Sequence, residues 1–572
     1  MAPWRSSRAA RPPATSTQGP RTPATHSIVW LPALLLTLGG CSSAGDSYLG
    51  EAPSSSTADS GLSGPDSSAS ASAGADESSG EQDGATDPSG VGDSGGGSTG
   101  GETGAPPEAP QGEPTPEDLV EAKAVEAEAC DLATPVSLTL RTLDAAATVS
   151  PALARDAALS EWVSLTGIRI RPWEFFNYYG FGYPAAEPGL VTVTPNLAPG
   201  TGGADEFTLQ IGVATQALAD QQRPPLHLTL ALDNSNSMEG KAEVMLRATG
   251  AAIAASLRAG DTLSIVTWNA KSAPVLELHA ISGPGDPVVL DKLDELELGG
   301  SAELYAGLTA AYKLAEAAYD PNHWNRVVLV SDGGATANDT DLAVISEHVE
   351  HSPFDMKLGL TPGIYLAGVG VGDAGAYRSD LMDACARAGR GPSLFIGTEA
   401  EADRRFGKQL ATTLGAAVRA LEVHLELPPG FEVVHDLADD TTNDLDPGPD
   451  GLHLGPNASL VLHRTLRHCA KADPEAKLLV RVSFIDEATA EQREVKSAVK
   501  LATLLAETSP ALAKGIAVQT YAQALQRWQT APADLAPALD AALAALKAAQ
   551  DLAPNDPELA EIAAVLAVLA QG

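Results

Sequence analysis

The chain has 572 residues, with 74 Asp and Glu against 36 Lys and Arg, a formal charge of −38, and 54 Gly and 41 Pro. That length accommodates two to four domains, and part of the chain has a composition that does not fold. So acidic a balance argues against nucleic acid, and against direct attraction to anionic lipid.

At the N-terminus, Arg5, Arg8, Arg11 and Arg21 precede an apolar run over 28–38, which ends in Leu38-Gly39-Gly40-Cys41. The run is shorter than the about 20 apolar residues of a membrane-spanning helix, so residues 1–41 read as a secretory signal. The Leu-Gly-Gly-Cys ending resembles the bacterial lipoprotein signal. That resemblance implies that Cys41 is the lipidated first residue of a mature protein held on a membrane of the bacterial cell envelope, at the outer membrane or facing the periplasm. Residues 42–118 are rich in Ser, Gly and Pro and carry fifteen Asp and Glu with no Lys or Arg. They bury too little apolar surface to offset ordering entropy and read as a disordered, self-repelling tether. Without the leader and the tether, residues 119–572 keep a charge of −27. Three cysteines follow Cys41, and an oxidising compartment allows them one disulfide. Cys385 falls in the helical pattern 381–388 as a small core residue, and the expected pair is Cys130 with Cys469.

Residues 119–223 form an N-terminal companion segment. Its stretch from Arg171 to Pro184 holds Trp173, Phe175, Phe176, Tyr178, Tyr179, Phe181 and Tyr183, seven of the chain's 26 aromatic residues. Such density suits either a stacking surface for a partner or a plug that docks on the neighbouring domain. The plug is favoured, because aromatic side chains mostly report buried area. A strand over 206–213 closes the segment.

From 224 to 418 strands and helices alternate, which predicts an α/β fold: a doubly wound, mostly parallel, Rossmann-like sheet. Strands are expected at 226–232, 262–268, 275–279, 326–331, 364–370 and 393–396. Helices are expected at 241–258, 287–297, 304–318, 342–351, 378–388 and 399–418. The first strand runs into Asp233-Asn234-Ser235-Asn236-Ser237-Met238, which places one carboxylate and two hydroxyls on a turn at its carboxyl end. Hard cations such as Mg²⁺ take oxygen ligands in near-octahedral array, and open α/β sheets bind ligands at that end of their strands. Asp and Ser are also favoured helix N-caps, so these residues alone leave both accounts open.

Two further stretches favour the metal account. Gly299-Gly300-Ser301-Ala302-Glu303-Leu304 and Val328-Leu329-Val330-Ser331-Asp332-Gly333-Gly334, with the first loop, resemble the three metal-site loops of a von Willebrand factor type A domain in order and spacing. The resemblance implies a metal-ion-dependent adhesion site with Asp233, Ser235, Ser237 and Asp332 as ligands to Mg²⁺, or to Mn²⁺ or Ca²⁺. The family's second-loop Thr falls on Ala302, which offers no oxygen. Ser301 is the neighbouring hydroxyl, and the expected site is correspondingly weak. Asn236 stands where the family has Gly, and Asn tolerates left-handed backbone.

The flanking regions widen the resemblance to bacterial envelope lipoproteins that carry a type A domain between an N-terminal segment and a C-terminal region. Apolar and polar residues alternate over 421–427, 459–466, 478–484 and 494–499, which predicts antiparallel strands in a β-rich domain at 419–500. Together with 206–213 they suit a β-sandwich. Residues 501–572 are Ala-rich and helical, and a small helical bundle is expected there, with a lone turn at Pro554-Asn555-Asp556-Pro557.

Other motifs carry less. Gly92-Asp93-Ser94-Gly95-Gly96 mimics a protease nucleophile loop inside the tether. Gly370-Val371-Gly372-Asp373-Ala374-Gly375 satisfies a dinucleotide fingerprint on the wrong strand. His348 and His351 lack a third ligand. No general base accompanies the metal loops, so an enzyme is not expected. The sequence therefore predicts a lipid-anchored protein that binds an acidic group on a protein or envelope partner through the cation. The alternative is a structural or assembly scaffold with a degenerate metal site, which Ala302 favours.

Overall fold

The computed structural model describes residues 130–140, 146–161, 165–350, 363–436 and 452–571, apart from positions 201, 204 and 271. The signal, Cys41, the tether and His351 lie outside the described residues.

The central sheet has six strands in the order Ala273–Ala280, Thr262–Trp268, Leu226–Asp233, Trp324–Ser331, Tyr365–Val371, Arg390–Ile396. Every neighbouring pair is parallel except the Ala273–Ala280 edge, which runs antiparallel to Thr262–Trp268. Leu226, Leu228, Leu230 and Leu232 face Met245, Leu246 and Ile253 of helix Lys241–Ser256. Ala231, Val327 and Leu329 face the other way, into a cluster with Leu308 and Tyr312 of helix Leu304–Ala318. Burial of both faces explains why these strands read as continuous apolar runs.

One predicted element is broken. In place of a single helix over 399–418 the chain forms a short helix Glu399–Ala402, a wider π turn Asp403–Lys408, a second helix Leu410–Leu414, and a strand from Val418. The helix ends at Gly415, whose backbone is extended and where a β-carbon would stand 2.4 Å from the Ala411 carbonyl oxygen, so the turn out of the helix needs glycine. Beyond it Leu421, Val423, Leu425 and Leu427 alternate into a core that a helix would not reach.

That core lies between two antiparallel sheets. One orders Val136–Leu140, Val418–Leu427, Lys477–Asp486 and Gln492–Lys500, with Leu452–Leu454 also on Val418–Leu427. The other orders Phe431–Asp436, Ser459–His468, Glu206–Ala214 and Thr192–Pro199. Leu209, Ile211, Val213, Leu460 and Leu462 of the second meet Val423, Leu425, Val480 and Phe484 of the first. Residues read from sequence as an N-terminal segment and as a later β-rich domain thus interleave: Glu206–Ala214 pairs with Ser459–Arg467 throughout. Cys130 is bonded to Cys469, with Cα atoms 5.6 Å apart, and Cys385 is a buried free thiol.

The helices Pro510–Thr530, Leu535–Leu552 and Pro557–Leu569 pack on the aromatic stretch. Phe175 meets Tyr521 edge to face at 5.4 Å, Phe176 stacks on Phe181 at 5.7 Å, and Tyr178 and Tyr179 are buried beside them. The same cluster continues into Leu308, Tyr312 and Leu381 of the central domain, so these aromatics are interior. No helix among the described residues is long and apolar enough to cross a membrane.

Candidate metal centre

Three loops converge beyond the carboxyl ends of the central strands. Asp233, the last residue of its strand, is fully buried. Its Oδ1 accepts the Ser235 N–H at 2.9 Å and its Oδ2 accepts the Ser331 hydroxyl at 2.7 Å. The Ser331 oxygen in turn accepts the Gly333 N–H at 3.1 Å, which ties the third loop to the first. The second loop is tied by backbone: Asn236 N–H donates to Gly300 carbonyl at 3.0 Å and Gly299 N–H to Asn234 carbonyl at 2.8 Å.

The expected ligands come together. Ser235 Oγ and Ser237 Oγ are 3.0 Å apart. Octahedral Mg²⁺–oxygen bonds of 2.0–2.1 Å put adjacent ligands about 2.9 Å apart, so the two hydroxyls have the spacing of neighbouring vertices. A β-carbon at Gly334 would stand 3.3 Å from Ser237 Oγ and 3.0 Å from Asp332 Oδ1, which brings the third loop's carboxylate alongside the first loop's hydroxyl. Gly333 makes this possible: its φ is +77°, and a β-carbon there would lie 2.3 Å from the Arg378 carbonyl oxygen. Ser301 sits exposed on the second loop, while the Ala302 methyl packs against the core that contains Leu304 and Tyr312.

Electrostatics at the site leave negative charge unmatched. Burial pushes the Asp233 carboxyl up, the hydrogen bonds from Ser235 and Ser331 oppose this, and the Asp332 charge adds to the rise. Among the described residues neither carboxylate has an ion-pair partner within 4.0 Å. The nearby Lys241 is engaged elsewhere, by Asp156 of the N-terminal segment at 2.9 Å and by Asp373 at 4.0 Å. A divalent cation fits this donor set of two carboxylates and two hydroxyls. Among the described residues no group of three or more His, Cys, Asp or Glu could hold a metal, so such a centre depends on the serines.

Ser331 is the residue that sequence reasoning missed. It stands beside Asp332 in the same short motif, but only the fold shows that its hydroxyl turns back to Asp233. The weaker motifs resolve structurally. His348 contacts Val344 carbonyl at 2.6 Å and Glu316 at 3.2 Å and stacks on Tyr312, so it ends its helix inside an ordinary contact set. In the glycine-rich loop a β-carbon at Gly370 would strike the Tyr377 ring, and the loop serves that packing.

Residues 228–335 match the family model of the von Willebrand factor type A domain. Two relatives share more of the chain. Uncharacterized protein YfbK of Escherichia coli strain K12 is 24% identical over 271 residues, 46% of this chain and 45% of its own. Uncharacterized protein sll0103 of Synechocystis is 23% identical over 224 residues, 39% and 49% respectively. The chain thus spans about half the length of the curated relatives it matches. Among solved structures it is similar to a von Willebrand factor type A protein from Catenulispora acidiphila, with 17% identity and a TM-score of 0.38 over 64% of this chain and 87% of that one.

Proposed function

We propose that the von Willebrand factor type A domain at the centre of this chain is the non-enzymatic binding module of a lipid-anchored cell-envelope protein. In this reading Asp233, Ser235, Ser237 and Asp332 hold Mg²⁺, or Mn²⁺ or Ca²⁺ in its place, with Ser301 the remaining candidate on the second loop. Few charged ligands leave the ion electron-poor, and it then supplies a coordination position for a carboxylate on a protein or envelope partner. The observation that carries the reading is the 3.0 Å spacing of the Ser235 and Ser237 hydroxyls beside two carboxylates that have no ion-pair partner among the described residues. The test is calorimetric titration with Mg²⁺ and Mn²⁺. Asp233→Ala should abolish binding, and Ala302→Thr should strengthen it by restoring a hydroxyl. Metal binding untouched by Asp233→Ala would reduce the first loop to a helix cap.

One observation favours a second reading. Ala302 packs into the core where a second-loop hydroxyl would serve the metal, as expected of a scaffold that has lost its ion. Partner binding that ignores both chelator and Ala302→Thr would establish the scaffold; binding that vanishes in chelator would establish the adhesion site. The anchor is tested separately. Cys41→Ser should move the protein from the membrane to the soluble envelope fraction, since each buried acyl CH₂ contributes about 0.8 kcal/mol.

A further inference from the structure

At the opposite ends of the central strands lies a cavity of about 190 Å³, roofed by the sandwich and by the aromatic segment. Its lining includes Arg326 and Tyr365 at two strand starts, Arg390 at a third, Arg405 from the π turn, and His453 from Leu452–Leu454. In a chain with twice as many acidic as basic residues, three arginines around one small cavity require an explanation.

The partners of Arg326 and Arg405 do not supply it. Arg326 is only 4% exposed; its Nε donates to the Leu414 carbonyl and its Nη1 to the Asn325 carbonyl, with its guanidinium 4.7 Å over the Tyr365 ring. Among the described residues no carboxylate stands within ion-pair distance of it. Arg405 is 7% exposed; its Nε is used by Glu401 at 2.8 Å, but its buried Nη2 has no hydrogen-bond partner. Both ring nitrogens of His453 are likewise buried and without one among the described residues. Burial first, and then the charges of Arg390, Arg419 and Arg326, push that imidazole down to about 3, which keeps it neutral with one N–H to donate. Glu558, the one carboxylate on the wall among the described residues, is already spent on Arg404, Lys514 and the Gly180 N–H. Glu487 attracts the Arg326 charge only from beyond ion-pair distance; a buried charge so weakly matched is costly, and orphaned buried donors add to that.

We propose that this cavity is a binding site for a small oxyanion, a phosphate or carboxylate group, held by Arg326, Arg405 and His453. Guanidinium groups match the geometry of either group with paired N–H donors, and the two residues with unpartnered nitrogens, Arg405 and His453, both belong to the cavity wall. The site is on the far side of the sheet from the metal loops and independent of them.

The experiment is a thermal-unfolding and calorimetric titration of the full chain with inorganic phosphate and with acetate, against chloride at matched ionic strength. Phosphate or acetate should raise the midpoint saturably beyond the chloride control, and the one that does so at lower concentration identifies the group. His453→Leu, which removes a ring that makes no hydrogen bond in the protein, should weaken that response about ten-fold or more. Arg405→Met should do the same if it folds without its Glu401 pair; His453→Leu carries the test if it does not. Neither anion exceeding chloride, or a His453→Leu protein that responds as the wild type does, would overturn the proposal.

Discussion

The Ser331 hydroxyl contributes to the candidate centre without being one of the expected ligands. It holds Asp233 Oδ2 at 2.7 Å in a fully buried position, so it fixes which carboxylate edge faces the other loops. Ser331→Ala should cost about 2 kcal/mol of stability, the worth of a buried hydrogen bond to a charged group. It should also weaken Mg²⁺ binding without abolishing it, measured by calorimetry; unchanged affinity would mean that Asp233 is oriented by Ser235 alone. Another residue-scale prediction concerns Glu401. Burial raises its carboxyl, but Arg405 and Arg155 outweigh this and hold it at about 2. A carboxyl depressed on folding stabilises the protein above its unfolded value near 4.5, and that stability is lost as pH falls toward 2. Glu401→Gln should therefore flatten the fall of the melting temperature between about pH 4.5 and 2, relative to wild type. Parallel curves would show that the arginines do not stabilise its charged form.

At the scale of elements, Val136–Leu140 is an edge strand of the sandwich, hydrogen-bonded among the described residues on one side only, to Val423–Leu427. The Cys130–Cys469 bond closes a loop of 339 residues just before it. Cys130→Ser should cost about 2–4 kcal/mol. Hydrogen exchange should then quicken in Val136–Leu140 and leave Glu206–Ala214, paired on both sides, protected; equal protection with and without the bond would contradict this. Elements also show what the sequence discloses and what it hides. The metal loops were legible because each lies within a few residues of a strongly patterned strand or helix. The pairing of Glu206–Ala214 with Ser459–His468 was not, because alternation shows that a strand has a buried face but does not name its partner. The cavity arginines share no spacing at all, and Gly415, where the helical stretch ends, resembles a glycine that a helix tolerates.

Over the whole molecule, the aromatic segment is the hub. Phe175, Tyr178 and Tyr179 touch a cluster built jointly by the central helices and by Tyr521, Ile562 and Leu566 of the C-terminal helices. Arg404 and Lys514 meet on Glu558 across the same seam. A chain ending at residue 509 would expose these rings in one patch, and large exposed apolar patches drive association. It should aggregate or fail to give a cooperative melt, as light scattering and circular dichroism would show; a monomeric, cooperative product would make the helices an accessory.

The position of the disulfide bears on mechanics. The central domain leaves and re-enters the sandwich at Pro224 and Val418, at the far end of its strands from the metal loops. A partner held at those loops would draw the domain away from whatever restrains the residues before Cys130. Without a crosslink that tension would load Val136–Leu140, five residues hydrogen-bonded to a single neighbouring strand. The covalent bond instead delivers it to Cys469, one residue past Ser459–His468, a strand flanked on both sides and sheared along its whole length. Oxidised protein stretched between its N-terminus and the metal loops should therefore yield at higher force than reduced protein.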